Sequence, residues 1–393
     1  MPHREPGRWV QRTEPIAEST RDRVRCPGGR GQKRPRREET SPERRSRSTF
    51  SGLLSSENYS ESAAAGPSTG ASYSPAVPAA TLAILNPKAG RASRILGRVE
   101  NRLRGSLAER MGGLEIERTR APRDAARIAR EAVRAGVKRL IVGGGDGTLS
   151  EVVTGLLAAG LGDEAEIGIL PLGSGCDFAR TLGMPLAPEE AIELLASGSR
   201  RRVDAGRIVH MCSQGREQTR YFLNEASFGL SGLIVETVNR RAKHFGPRLA
   251  FALGSLAAIA RHPRPNVVVR VDDREVHAGP VALVLAANGR FCGAGMKVAP
   301  GAECDDGLFD VVIIKAISRP RLWLNLPSLY AGGHIDHPAV SVHRGVRVES
   351  VVREPVPALL DVDGEGGGGL PVRVELLPRA IRLFGVPVRR RVV

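Results

Sequence analysis

The first ordered pattern along the chain is a set of short apolar runs, each followed by turn residues and then by a helix-period segment. Leu82–Leu85, Leu114–Thr119, Leu140–Val142 and Ile167–Leu170 read as strands. Ile95, Val99 and Leu103 recur at helical spacing, as do Ala126, Ile128, Ala129 and Val133 within a helix expected over Arg123–Ala135. Val152, Val153, Leu156 and Leu157 mark another helix, ending near Gly160. Alternation of strand and helix predicts a parallel sheet of the α/β class. The loops leaving the carboxyl ends of such strands line the ligand crevice. Here they are Asn86–Gly90, Gly143–Thr148 and Pro171–Asp177, and they should converge on one sheet edge.

From about Arg201 the period changes. Val203–Val209, Tyr221–Ala226, Val267–Val271, Val281–Ala286 and Phe309–Ile314 read as strands. Val346–Val352, Ala358–Asp361, Val372–Leu377 and Ile381–Phe384 follow in the same way. Leu249–Ala260 is an apolar helix, too short to cross a bilayer and best used as a core helix. Gly366–Gly369 suggest a mobile hairpin tip. The fold expected is therefore an N-terminal parallel-sheet domain followed by a mostly β second domain. The boundaries are a basic arm of low hydrophobicity over 1–79, a first domain over 80–203, a second over 204–386, and a basic tail over 387–393.

The turn between Val142 and Leu149 carries the candidate chemistry. Gly143, Gly144, Gly145, Asp146, Gly147 and Thr148 join a strand to a helix, and Thr148 with Glu151 has capping-box spacing, so the helix is expected to start at Thr148. A glycine turn at a helix N-terminus gathers bare N–H groups and favours phosphate. An acid in that turn repels phosphate unless a cation or a proton lies between them. Asp146 thus reads as a residue that holds Mg²⁺ or orients a hydroxyl.

Composition narrows the partners. The chain has 393 residues, enough for two domains, and a formal net charge of +16 carried mostly by arginine. That balance favours polyanions or anionic membrane surfaces. The arm over 1–79 is too poor in aliphatics to fold alone and could touch RNA or anionic lipid. Five scattered cysteines without C-x-x-C spacing argue for a reducing compartment and against a disulfide framework or zinc site. No stretch of 18 apolar residues occurs and no apolar signal core opens the chain. His334, Asp336 and His337 form a turn whose default reading is a polar loop.

Several motifs stand in order: NPKAG at 86–90, GGDGTLSE at 144–151, PLGSGCDFAR at 171–180, LNEASFGLSG at 223–232, DDGLFDV at 305–311 and DVDGE at 361–365. Together they resemble the diacylglycerol kinase catalytic domain family, which includes bacterial YegS-like lipid kinases, sphingosine kinases and ceramide kinases. The resemblance spans roughly 81–384. It implies an NAD kinase/diacylglycerol kinase-like fold and an ATP-dependent lipid kinase, with ATP in the first domain and lipid entering against the second. It places nucleotide contacts at Asn86, Pro87, Lys88, Ala89 and Gly90, and at Gly144, Gly145, Gly147, Thr148, Leu149, Ser150 and Glu151. Thr119 and Ser174 are further such positions. It implies a structural Mg²⁺ held by Asp306 and the backbone of Leu308, with Glu303 nearby, and a proton acceptor at Glu365.

Ser174 keeps the hydroxyl of the family's usual Thr, whereas Cys176 stands where the family has Asn, and a thiol is a weak donor. Phosphoryl transfer is mainly positioning and charge stabilisation, and a carboxylate can take the proton of an attacking hydroxyl. The expectation is a diacylglycerol kinase-like phosphotransferase using ATP and Mg²⁺, cytoplasmic and peripherally associated with anionic phospholipid. Nucleic acid is not an expected partner, and a homodimer is left open. The alternatives are an NAD kinase-like enzyme with a soluble substrate, and a silent protein that binds nucleotide or an anionic surface.

Overall fold

A computed structural model describes residues 80–90, 92–212, 214–241, 254, 257–354 and 358–388. The arm over 1–79, most of the helix expected over Leu249–Ala260, and residues 389–393 of the tail lie outside the described residues.

The architecture is a mixed α/β N-terminal domain and a β-rich C-terminal domain. The chain opens with β1 (Thr81–Leu85), α1 (Ala92–Arg102), β2 (Glu115–Arg118), α2 (Asp124–Arg134), β3 (Arg139–Gly144), α3 (Asp146–Ala158) and β4 (Glu166–Pro171). β1 pairs in parallel with β2 and β3, and β3 with β4. The central strands β1, β3 and β4 are buried almost throughout because both faces are covered, whereas β2, Glu-Ile-Glu-Arg, is the half-exposed edge strand. Leu82, Ile84, Leu140, Val142, Ile167 and Ile169 pack under α2 and α3. The alternating set Ala83, Leu85, Ile141 and Leu170 packs with Leu96, Val99 and Leu103 of the opposite layer.

A short helix α4 (Asp177–Thr181) and α5 (Pro188–Ser197) lead into β5 (Ser199–Met211). The expected division at 203/204 falls inside this strand. The segment expected as one strand over Tyr221–Ala226 is two, β6 (Glu217–Phe222) and β7 (Glu225–Gly229). The break at Leu223 and Asn224 exists because their N–H groups leave the ladder for the Asp363 carboxylate. β8 (Asn266–Val271), β9 (Arg274–Ala287), β10 (Phe309–Lys315), β11 (Val340–Gly345), β12 (Arg347–Val352) and β13 (Leu359–Val362) build the second core. Val267, Val269 and Val271 turn one face inward, against Phe222, Phe309 and Val311.

The last strand, β14, runs continuously over Glu365–Val386. The two strands expected over Val372–Leu377 and Ile381–Phe384 are parts of it. It pairs with β13 at its start, with β12 and β5 along its length, and in parallel with β4 through Arg382 and Leu383. It therefore runs from the candidate site to the parallel sheet. Gly366–Gly369 belong to β14, so the expected glycine tip is corrected. The tip is the two-residue turn Asp363–Gly364, with φ of +50° and +83°. Asp-Gly suits a primed hairpin turn, in which both central residues take positive φ.

Candidate active site

Three turns meet at the carboxyl edge of the parallel strands, as the alternation predicts. Asn86 donates from its backbone N–H to the Gly143 carbonyl at 2.8 Å and from Nδ2 to Thr148 Oγ1 at 3.0 Å. Its Oδ1 accepts the Lys88 N–H at 2.9 Å, which fixes the Pro87–Ala89 bend. Thr119 reaches the same edge, its N–H donating to the Leu85 carbonyl at 2.9 Å. The Gly144 carbonyl accepts the N–H groups of Leu172 and Gly173 at 2.9 and 3.0 Å. Packing here is backbone on backbone. A Cβ on Gly173 would lie 2.4 Å from Gly145 Cα, and one on Gly90, whose φ is +28°, would lie 2.7 Å from the Ser174 nitrogen. These positions admit no side chain. Ser174 is exposed at the rim.

α3 starts two residues earlier than the capping box indicates, at Asp146 with Gly145 as its N-cap. Thr148 does not cap it, because its hydroxyl accepts from Asn86. Glu151 instead accepts backbone N–H groups from Arg123 and Ala125, at the start of α2. Burial raises the Glu151 carboxyl above its ordinary range, and the nearby charge of Glu365 adds to the rise. Gly147, Leu149 and Ser150 complete the first turns of α3, with Leu149 turned into the core.

Across from this edge stands the hairpin of β13 and β14. The buried Asp363 carboxylate accepts N–H groups of Leu223, Asn224 and Glu225, each at 2.9 Å, and the Ser150 hydroxyl. Burial lifts its carboxyl to about 6, with those four donors opposing the rise. Asp361 accepts the Gly364 N–H at 2.9 Å and the Glu225 carboxyl. Burial raises Glu225 well above the ordinary range, and the charges of Asp361 and Asp363 raise it further. A buried carboxyl among other acids holds its proton. Glu365 is half-exposed at the start of β14, and its Oε2 accepts from Arg220 of β6 at 3.2 Å. Ser150 on α3 and Asp363 beside Glu365 thus bind the glycine edge to the hairpin.

Asp146 Oδ1 accepts the Phe178 N–H at 3.0 Å. Asp177 Oδ2 accepts the Ala294 N–H at 2.8 Å, and its Oδ1 has no hydrogen-bond partner. Burial, and then the Asp146 charge, push the Asp177 carboxyl up to about 6. Cys176 is buried with φ of +52°, its Sγ 3.9 Å from the Gly144 carbonyl oxygen. Asn tolerates that left-handed backbone better than Cys. Sequence reasoning gave no role to Asp177, Arg220, Glu225, Asp361 or Asp363. All except Arg220 lie inside the quoted motifs, but their burial depends on pairing between distant segments.

The acidic loop expected to hold Mg²⁺ does not fit an ion as it is folded. Arg344 donates from Nη2 to Asp306 and from Nε to Asp310, the latter at 3.0 Å. Asp306 also accepts the Leu308 N–H at 3.0 Å, and Glu303 lies 3.9 Å from Arg290. Among the described residues no group of three or more His, Cys, Asp or Glu side chains is placed to hold a metal ion. As folded, Asp306, Leu308 and Glu303 are not gathered into an ion's ligand set, and the Arg344 guanidinium stands on the Asp306 carboxylate. His334 and His337 make ordinary loop contacts, with the Val298 carbonyl and the Ala339 N–H.

Residues 80–208 match the diacylglycerol kinase catalytic domain, and residues 224–385 match the YegS C-terminal NAD kinase beta sandwich-like domain. The chain is 30% identical over 305 residues to a Serratia proteamaculans protein named "Probable lipid kinase YegS-like", covering 77% of this chain and 93% of that one. It is 30% identical over 263 residues to a diacylglycerol kinase of Staphylococcus carnosus, covering 66% and 81%. A crystal structure of a diacylglycerol kinase from Bacillus anthracis shares the fold, with a TM-score of 0.59, 24% identity, and coverage of 77% of this chain and 96% of that one.

Proposed function

The chain belongs to the diacylglycerol kinase and YegS-like lipid kinase family, and from that premise we propose that it transfers the γ-phosphate of ATP to a hydroxyl of diacylglycerol or a similar lipid. The observation that carries this reading is the link between the two halves of the site. The Ser150 hydroxyl on the glycine-turn helix donates to Asp363, two residues before Glu365. A nucleotide cradled at the glycine edge therefore ends near the carboxylate that would accept the lipid proton.

The geometry supports these roles. Asn86–Gly90, Thr119, Gly144–Glu151 and Ser174 receive ATP, whose phosphates lie against bare backbone and the N-terminus of α3. Mg²⁺ bound with ATP would screen the phosphate charge during transfer. Asp146 and Asp177, whose charges act on each other, are the carboxylates that would hold this cation, with Arg180 3.8 Å from Asp177 Oδ1. Glu365 takes the hydroxyl proton as the lipid oxygen attacks phosphorus. Arg220 orients Glu365 before the acceptor arrives, and the Asp363–Gly364 turn fixes its place.

Among the described residues no helix is long and apolar enough to cross a membrane. We read the protein as working from the cytoplasm and visiting the bilayer, helped by its net charge of +16. Such docking on anionic vesicles weakens with salt. Vesicle binding that ignores salt contradicts this part.

The test is transfer of labelled γ-phosphate to diacylglycerol, monoacylglycerol, sphingosine, ceramide and phosphatidylglycerol in mixed micelles, with NAD as the soluble competitor. Label in one lipid supports the reading and names the acceptor. Label in NAD with none in lipid overturns it.

A further inference from the structure

Residues 303–310 carry four acids, Glu303, Asp305, Asp306 and Asp310, in a turn that closes onto β10. Such a sequence invites a hard divalent cation, which takes six to eight oxygen ligands and favours clustered carboxylates. The structure fills the need differently. Asp310 and Arg344 face each other directly across the antiparallel β10–β11 pair. The register thus places the guanidinium over the loop, where it reaches Asp310 with Nε and Asp306 with Nη2. Asp305 is taken by Arg201 at 2.8 Å, with both side chains largely buried. Arg290 lies 3.9 Å from Glu303.

The neutral parts of the loop are tied as well. Gly307 donates its N–H to Asp204 Oδ2 at 2.8 Å, and Asp204 donates its own N–H to the Cys304 carbonyl at 2.7 Å. The loop is therefore fastened to β5 through Arg201 and Asp204, and to β11 through Arg344.

We propose that Arg344 is the resident cation of this acidic loop, performing with a guanidinium the ordering that a bound divalent ion would otherwise supply, so that the fold does not depend on divalent ions. Arginine suits the task because its planar fork presents several donors in fixed directions and keeps its charge at every working pH. Guanidinium and ion compete here for the Asp306 carboxylate. Any Mg²⁺ requirement in turnover then comes from the nucleotide.

The test is thermal unfolding of the full chain without nucleotide, in EDTA, in Mg²⁺ and in Ca²⁺. Wild type is expected to melt at one temperature in all three. Arg344→Ala is expected to melt lower, by roughly 2–4 °C, and to recover part of the loss when Ca²⁺ or Mg²⁺ is added. That recovery should vanish in Arg344→Ala/Asp306→Asn. Should Arg344→Ala not fold, Arg344→Lys, which keeps the charge without the fork, is expected to show a smaller loss of the same kind. Wild type that loses stability in EDTA and regains it with Mg²⁺ overturns the proposal. So does an Arg344→Ala protein that melts with wild type or gains nothing from either ion. None of these readouts depends on the acceptor or on turnover.

Discussion

Replacing Asp363 by alanine tests how the site is held together. The substitution orphans three backbone donors now bound at 2.9 Å, those of Leu223, Asn224 and Glu225, in a buried setting. Each buried unsatisfied donor costs about 1–3 kcal/mol. Alanine must also hold a φ of +50°, which costs roughly another 1–2 kcal/mol. Acting the other way, the variant no longer buries a charge. A carboxyl raised from 3.8 to about 6 corresponds to roughly 3 kcal/mol of native-state penalty at neutral pH. The net expectation for Asp363→Ala is a loss of about 1–8 kcal/mol. Asp363→Asn keeps an oxygen for Asn224 and Glu225, tolerates the backbone, and sets only its amide against the Leu223 N–H. It should lose about 0–2 kcal/mol. The assay is urea unfolding at pH 7.5, where the midpoint shifts with stability at constant slope. Alanine and asparagine variants of equal stability, or an alanine variant as stable as wild type, would refute the view of Asp363 as the clamp of the 223–225 backbone.

Gly173→Ala should force the Pro171–Gly175 turn away from Gly145, since its Cβ would lie 2.4 Å from Gly145 Cα. An ATP titration should show at least roughly tenfold weaker binding while the protein stays folded, because overpacking costs about 1–3 kcal/mol. Unchanged ATP affinity counts against the glycine edge as the cradle. The Asp177 carboxyl is raised to about 6, so the native state binds its proton more tightly than the unfolded chain does. Its contribution to stability is full below pH 4 and is lost as pH rises through 6. Asp177→Asn should therefore flatten the pH 4–6.5 part of the melting profile, and an unchanged profile contradicts the burial argument.

The glycine turns were legible because strand, turn and helix are adjacent in sequence and the required residue types are narrow. The start of α3 was misread because Thr148 is claimed by Asn86, 62 positions earlier. No local spacing announces such a partner. The hairpin motif was legible as a motif, but its tip was misplaced. Gly366 pairs with Asp361, and Gly369 pairs with both Leu359 and Met211, so the glycines lie within the ladder rather than at the turn. The parallel pairing of β14 with β4 joins the last strand of the chain to one some 200 residues earlier, beyond any pattern argument. Arg344 followed the same rule. Its place over Asp306 and Asp310 is set by the register of β10 and β11, and a lone arginine in a strand gives no sign of it.

The central claim is that Glu365 accepts a lipid proton as ATP phosphate is transferred. The most direct measurement compares wild type with Glu365→Gln, side by side, for ATP binding and for label transfer to the preferred lipid. Glu365 is half-exposed, so the variant should fold and bind ATP as wild type does. A proton-accepting Glu365 predicts unchanged ATP affinity with transfer reduced by roughly 10²–10⁴-fold. Transfer at the wild-type rate by Glu365→Gln, with ATP bound normally, would contradict it.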